Sequence, residues 1–406
     1  MKHSLVSHFV RDKATMKQTN IAPAFSTVEQ VIEDLKPGYP VYCLRPAEIK
    51  RQAKYFLETF PGRVLYAVKC NPNLMVLQAL FDAGIRHFDT ASLEEIAIVR
   101  EHFPQADCYF MHPVKARASI KTAQDVYSVD HYVIDHIKEL EKIVETTGSG
   151  DGRVVLVRIV TPVHDAQYQL SDKFGVAAEG AAELLQAVHK ANFQTGIAFH
   201  VGSQCRSPDA FKEGVQTALN IIQEANVPIH YLDVGGGFPA LYEDDTPQPL
   251  ENYFSAIMEA FDKAKIRRDC VLMCEPGRAL VASGCSLLVQ IQLRKDNKLY
   301  INDGTYQSLS ETVLGKIKFP ARLVNPFRSL SDNYQEFTIL GPTCDTVDIL
   351  PYPFYLPDDA EEGDWIEIGQ TGAYSNAAAT HFNGFFPEAY VSVDAPPLTP
   401  KLASSS

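Results

Sequence analysis

Four short motifs carry residue types that could act together. Lys69 closes the apolar run Arg63-Val64-Leu65-Tyr66-Ala67-Val68. A lysine at that place is expected to be partly desolvated, which disfavours the ammonium, lowers its pKa and frees an amine that can attack a carbonyl. Most lysines at strand ends are solvated charges, so Lys69 says little alone. Asp233-Val234-Gly235-Gly236-Gly237-Phe238-Pro239 offers three consecutive glycines, whose missing Cβ atoms let backbone N–H groups approach an anion such as phosphate. The same run could be only a tight turn. In Cys274-Glu275-Pro276-Gly277-Arg278 a carboxylate and a guanidinium follow another apolar run. They could hold a protonated ring nitrogen and a phosphate, or simply each other. Phe199-His200-Val201-Gly202-Ser203-Gln204 supplies an imidazole that could stack on a flat ring, and a hydroxyl for an anion. A lone histidine there is more often a core residue.

Position decides between these readings. Strand-like runs at 63–68, 86–88, 108–111, 131–134, 154–159, 195–199, 229–234 and 271–274 alternate with amphipathic stretches such as Leu93-Glu94-Glu95-Ile96-Ala97-Ile98-Val99-Arg100. Eight β/α units predict a (β/α)8 barrel, whose active site lies at the C-terminal ends of its strands. Lys69, Asp89, His112, Asp135, His200, Gly235 and Glu275 all close strands. The four motifs therefore converge on one mouth, and a pyridoxal phosphate (PLP) site accounts for them together. After Arg278 the texture changes to short alternating runs at 287–293, 298–302, 335–340, 364–368 and 389–393, which predict an antiparallel β domain. The run 39–44 is a strand expected to return to it. The expected organisation is an N-terminal segment, 1–43, joining the β domain, then the barrel, 44–278, the β domain, 279–393, and a loose Pro- and Ser-rich tail, 394–406.

Composition narrows the partners. A net charge of −13 argues against nucleic acid, which needs a basic footprint. No apolar run approaches the length of a membrane span, and Met1–Asn20 lacks the continuous apolar stretch of a secretory signal. The eight cysteines form no CxxC pair and have no histidines at zinc spacing, so no metal is expected. Cys43, Cys108, Cys270, Cys274 and Cys285 read as buried thiols, and a cytoplasmic location fits free thiols best.

Taken together, the motifs make the chain resemble the PLP decarboxylases of the alanine-racemase fold (fold type III), most closely the ornithine decarboxylases and among them a bacterial-type subgroup. The matching segments are Tyr66-Ala67-Val68-Lys69-Cys70-Asn71, Phe199-His200-Val201-Gly202-Ser203, the glycine loop and Glu275-Pro276-Gly277-Arg278. Further along they are Asn302-Asp303-Gly304, Gly341-Pro342-Thr343-Cys344-Asp345, Gly372-Ala373-Tyr374 and Phe382-Asn383-Gly384-Phe385. The resemblance implies a homodimer with shared active sites, each completed by the partner's Cys344 and Asp345. It implies cofactor contacts from Lys69, Asp89, Arg158, His200, Ser203, Gly235, Gly236, Gly237, Glu275, Pro276, Gly277, Arg278 and Tyr374. Lys173 and Asp348 are expected to pair across the interface. A thiol is a reasonable proton donor to a carbanion, and Cys344 fits that role; Asp345 suits a distal ammonium.

One position departs from the pattern. The eukaryotic enzymes that this chain resembles carry a second substrate-binding aspartate some ten residues after Asn302-Asp303-Gly304-Thr305-Tyr306, where this chain has Gly315. Glu311 is the nearest carboxylate, either a replacement for that aspartate or a solvated loop residue. The resemblance thus implies decarboxylation of ornithine to putrescine, with lysine as a further substrate. Alternatives are a diaminopimelate or arginine decarboxylase, or a catalytically inactive regulator resembling the antizyme inhibitors. Asp345 would repel the distal carboxylate of diaminopimelate. A racemase of this fold would need a tyrosine where the chain has Cys344.

Overall fold

Eight parallel strands close into a barrel in the computed structural model, which describes residues 22–400 except 151, 162–165, 169–172 and 264–269. Residues 1–21 of the N-terminal segment and 401–406 of the tail lie outside the described residues. The strands are Arg63–Ala67, His87–Thr90, Asp107–Phe110, His131–Ile134, Val154–Arg158, Gln194–Ala198, Tyr231–Asp233 and Val271–Cys274. They follow one another in chain order around the barrel, and the eighth pairs with the first through Met273–Arg63 and Cys274–Val64. All eight runs read from the sequence are strands.

Both faces of these strands are covered, which explains their nearly unbroken apolar character. Side chains alternate in and out along a strand. Leu65, Tyr109, Val133, Val154, Leu156, Ala198 and Met273 form an inner cluster. Their neighbours Val64, Tyr66, Tyr132, Val155, Val157 and Ile197 pack outward in the main core. One further inward step along each strand reaches Asp89, Arg158, His200, Asp233 and Glu275. The period-two pattern that builds the core therefore also delivers the polar groups to the C-terminal mouth. The flanking helices start where local chemistry starts them. Ser92 Oγ accepts from the Glu95 N–H, and the Glu95 carboxylate reaches back to the Ala91 N–H, capping helix Leu93–His102 just after the second strand.

The β domain is a nine-stranded sheet around the long strand Cys285–Lys295. That strand pairs antiparallel with Val41–Leu44, Trp365–Ile368 and Lys298–Ile301. The expected all-antiparallel sheet is instead mixed. Ala389–Val393 runs parallel to both Ala24–Phe25 and Val41–Leu44, and Lys298–Ile301 runs parallel to Tyr334–Leu340. These partners are distant in sequence, so no hairpin forces them to oppose. Ala321–Val324 and Phe354–Pro357 are further strands that the sequence did not suggest. The tail is not loose up to residue 400. Gln370 Nε2 donates to Leu398 O at 3.0 Å and Arg45 Nε to Ala395 O at 2.9 Å, because these buried side chains need backbone acceptors. Arg45 also pairs with Glu367 at 2.7 Å and donates to Ser286 Oγ, fastening the start of the barrel segment to the sheet. Among the described residues no helix is long and apolar enough to cross a membrane. Cys270 is half-buried rather than buried.

Candidate functional site

Lys69 sits on a short 3-10 turn, Val68–Cys70, just past the first strand rather than on it. Its Nζ donates to Asp89 Oδ2 at 3.0 Å, while Asp89 itself is buried. Desolvation does oppose the ammonium, as expected. However, the carboxylates of Asp89 and Glu275 and the Tyr374 hydroxyl outweigh it and raise the pKa of Lys69 above the ordinary lysine value. The expected lowering is corrected by a partner twenty residues away in sequence. The lysine is a paired cation, 44 % exposed at the mouth.

Across the mouth, half-buried Glu275 and buried Asp233 form an acidic pair. Asp233 Oδ1 accepts from the Gly235 N–H at 2.8 Å. Asp233 Oδ2 is buried with no hydrogen-bond partner among the described residues, and two carboxyls placed close together disfavour each other's ionisation. Burial, then the charges of Asp233 and Asp89, push Glu275 well above the usual carboxylate range, and burial raises Asp233 to about 7. Lys69 and Arg158 oppose the shift of Glu275. A proton is thus available where a ring nitrogen could receive it. His200 is neutral, since burial and the charges of Arg158 and Lys69 hold it well below its ordinary pKa. Its Nδ1 accepts from the Gly202 N–H at 3.0 Å, which leaves the hydrogen on Nε2. A fixed, uncharged ring of this kind suits stacking on a flat group.

The third cluster gathers on Arg278, which is almost wholly buried. Its Nη2 donates to Ser203 Oγ at 3.2 Å and its Nη1 to Tyr242 Oη at 3.0 Å. Tyr374 lies beside it, with the guanidinium 5.0 Å from the ring centroid. That tyrosine adopts a left-handed backbone, φ 63°, which costs a bulky residue about 1–3 kcal/mol. The bond from Tyr374 N to Cys70 O, 2.8 Å, and that from Asn71 Nδ2 to Gly372 O hold the β-domain loop against the barrel. The glycine loop passes alongside. A Cβ on Gly235 would lie 2.1 Å from Phe199 O, and one on Gly237 would lie 2.3 Å from Gly202 O. Both have positive φ, so no other residue would fit. Gly277 is packed against Cys70 in the same way, and Pro276 O accepts from Ala67 N. Arg278 Nε is buried with no hydrogen-bond partner among the described residues. An orphaned guanidinium N–H beside a serine hydroxyl and a glycine loop, opposite a proton-holding carboxyl, fits a phosphorylated pyridine cofactor.

Glu311 belongs to this cluster and is not a solvated loop residue. Its Oε2 lies 2.6 Å from Arg278 Nη2, and the two side chains are 7 % and 3 % exposed. A carboxylate engaged with a guanidinium in so dry a place is not turned to a substrate ammonium, which corrects its expected role as a stand-in for the missing aspartate. Cys344 and Asp345 lie elsewhere. Both line a groove of ≈ 730 Å³ on the β domain that contains none of Lys69, His200, Glu275 or Arg278. Cys344 is exposed. Asp345 accepts from Val347 N at 2.9 Å and Tyr306 Oη at 2.8 Å, and those bonds lower its pKa. Asp348 is turned inward, 2 % exposed, with its oxygens filled by the N–H and hydroxyl of Thr305 and of Thr343. Gly304 and Gly341 leave the space it occupies. Lys173 lies over the Phe174 ring at 5.1 Å. A cross-subunit pair would thus have to meet an Asp348 already filled within its own chain.

Sequence reasoning did not single out Asp233, Tyr242 or Gln204 as site residues. Buried Gln204, φ 54°, bonds Ala240 on both sides of its amide and so ties the sixth-strand loop carrying Ser203 to the glycine loop. Its only sequence signal was adjacency to Ser203.

Comparison with known proteins follows the same lines. The family model described as pyridoxal-dependent decarboxylase, pyridoxal binding domain, matches residues 46–282. The lysine/ornithine decarboxylase of Selenomonas ruminantium is 32% identical over 334 residues, covering 80% of this chain and 81% of that protein. Among solved structures, the arginine decarboxylase of Paramecium bursaria Chlorella virus, bound to agmatine, superposes with a TM-score of 0.80 at 27% identity, over 90% of this chain and 99% of that one. The lysine/ornithine decarboxylase of Vibrio vulnificus, complexed with putrescine, superposes with a TM-score of 0.78 at 27% identity, over 90% and 96%.

Proposed function

Because the chain belongs to the pyridoxal-dependent decarboxylase family and is a PLP-dependent carboxy-lyase, we propose that its substrate is a basic diamino acid, L-ornithine foremost. The products are putrescine and CO2, with lysine to cadaverine as a second reaction. The observation that carries this choice is the ionised Asp345 beside the exposed Cys344 in an open groove. An anion there attracts a distal ammonium and repels the distal carboxylate of diaminopimelate. Arginine is the second reading. A structural neighbour is an arginine decarboxylase, and Gly315 leaves no side chain where a second carboxylate would contact a short diamino acid.

When bound, the cofactor supplies a carbonyl for the amines and a protonated ring that accepts the electron pair left as CO2 departs. The chain's own groups do the rest. Lys69 provides the anchoring amine, and Asp89, 3.0 Å from it, orients it. Glu275, backed by Asp233, keeps a proton at the ring nitrogen, and Arg158 balances the charge of that pair. His200 covers one face of the ring. Arg278, Ser203, Tyr374 and the backbone of Gly235, Gly236, Gly237, Pro276 and Gly277 hold the phosphate. The groove with Cys344 and Asp345 is separate from the barrel mouth of the same chain, which supports a homodimer in which each mouth receives those residues from the partner. Cys344 then delivers the proton to Cα, and Asp345 holds the distal ammonium. The free thiols suit a cytoplasmic enzyme of polyamine synthesis.

Steady-state kinetics of Asp345→Asn test the substrate class. kcat/KM for ornithine should fall by roughly tenfold to a few hundredfold, the range for losing a charge-assisted bond to substrate. Wild-type kinetics in this variant would remove the main reason to expect a diamino acid.

A further inference from the structure

The mechanism assigns Arg278 to the cofactor phosphate, yet this guanidinium already holds an anion of its own chain. Glu311 Oε2 sits 2.6 Å from Arg278 Nη2, in a cluster shared with Ser203 and Tyr242. The carboxylate comes from the first turn of Glu311–Leu314, a short helix after the Asn302-Asp303-Gly304 loop. This placement is specific, since Gly315 N and Ile317 N both close on Glu311 O and fix the turn from which the side chain enters. Two anions, a fixed carboxylate and a phosphate, therefore meet at one cation. The guanidinium still has an unpartnered Nε–H to offer. A second anion can thus bind, but it binds against the field of the first.

We infer that Glu311 is an internal counter-ion of Arg278 that stands in for the cofactor phosphate, keeps the guanidinium positioned in the cofactor-free chain, and opposes phosphate binding by its charge. The inference rests on the assignment of Arg278 to the phosphate. Its consequence is a cofactor held less tightly, and exchanged more readily, than the rest of the site would allow. Buried Glu311, four residues before Gly315, thereby sets cofactor affinity rather than substrate length.

Two ligands separate the effect from general changes in the site: PLP, and pyridoxal, which lacks the phosphate. Cofactor is stripped from the full chain, and the dissociation constant of each ligand is measured by absorbance titration. Glu311→Gln keeps a hydrogen bond to Arg278 but removes the charge. It should bind PLP on the order of tenfold more tightly, as expected for deleting one unit charge several ångströms away at a partly screened site. Pyridoxal affinity should stay unchanged. Glu311→Ala should show the same phosphate-specific gain, and serves if the glutamine variant misfolds. Unchanged or weaker PLP binding in a folded variant, or an equal gain for pyridoxal, would overturn the inference. Arg278→Lys is the control for the underlying assignment. If it leaves the preference for PLP over pyridoxal intact, Arg278 does not hold the phosphate and that assignment fails. If the preference drops there while Glu311→Gln changes nothing, the counter-ion role alone fails.

Discussion

Lys69→Ala is expected to lose turnover by about three orders of magnitude or more, because it removes the amine proposed to anchor the cofactor. The purified wild-type chain should absorb near the visible edge through its covalently held cofactor and lose that band on borohydride treatment. The variant should lack both the band and its response to reduction. The pairing with Asp89 gives this prediction its force. A lysine held as a cation by a buried carboxylate 3.0 Å away is fixed in position. A reducible cofactor adduct that persists in Lys69→Ala would show that another lysine is the anchor.

The second large effect concerns Cys344. Replacing it with alanine should slow turnover by roughly 10²–10⁴-fold, the usual contribution of a placed proton donor. It should also divert part of the product to the aldehyde, since a carbanion not protonated at Cα is protonated at the wrong carbon. Because the groove lined by Cys344 contains none of its own chain's Lys69, His200, Glu275 or Arg278, mixing is informative. Inactive Lys69→Ala and Cys344→Ala chains, combined and allowed to exchange, should regain about a quarter of wild-type sites, since half the dimers are mixed and each has one intact site. No recovery after verified exchange would place both residues in one chain's site.

Much of this architecture was legible because parallel barrel strands are covered on both faces. Each reads as an apolar run, and the polar residue that ends it is the next inward position. Asp89, His200 and Glu275 could therefore be placed at one mouth before any contact was known. What could not be read depends on partners far apart in sequence. The pKa of Lys69 goes up because Asp89 and Glu275 fold onto it, and no local pattern carries that sign. Glu311 looked like a loop carboxylate because its partner Arg278 is 33 residues earlier and in the other domain. The β domain was half legible. Five of its strands after Arg278 were marked by their sequence runs, two of them only four residues long, whereas Ala321–Val324 and Phe354–Pro357 lie directly after prolines and carried no such mark. Strand direction in that sheet depends on which distant segments meet, and alternation does not encode it. Tyr374 was legible only through its motif, while its strained backbone and its contact with Arg278 are products of the docked loop.

The substrate claim is tested most directly by product analysis with ornithine, lysine, arginine and diaminopimelate offered together to the PLP-loaded enzyme. One ionised carboxylate, Asp345, beside Cys344 predicts putrescine as the main amine, cadaverine as the lesser one, and no lysine from diaminopimelate. Agmatine as the main product would transfer the assignment to arginine, and the absence of any amine or CO2 would contradict the account.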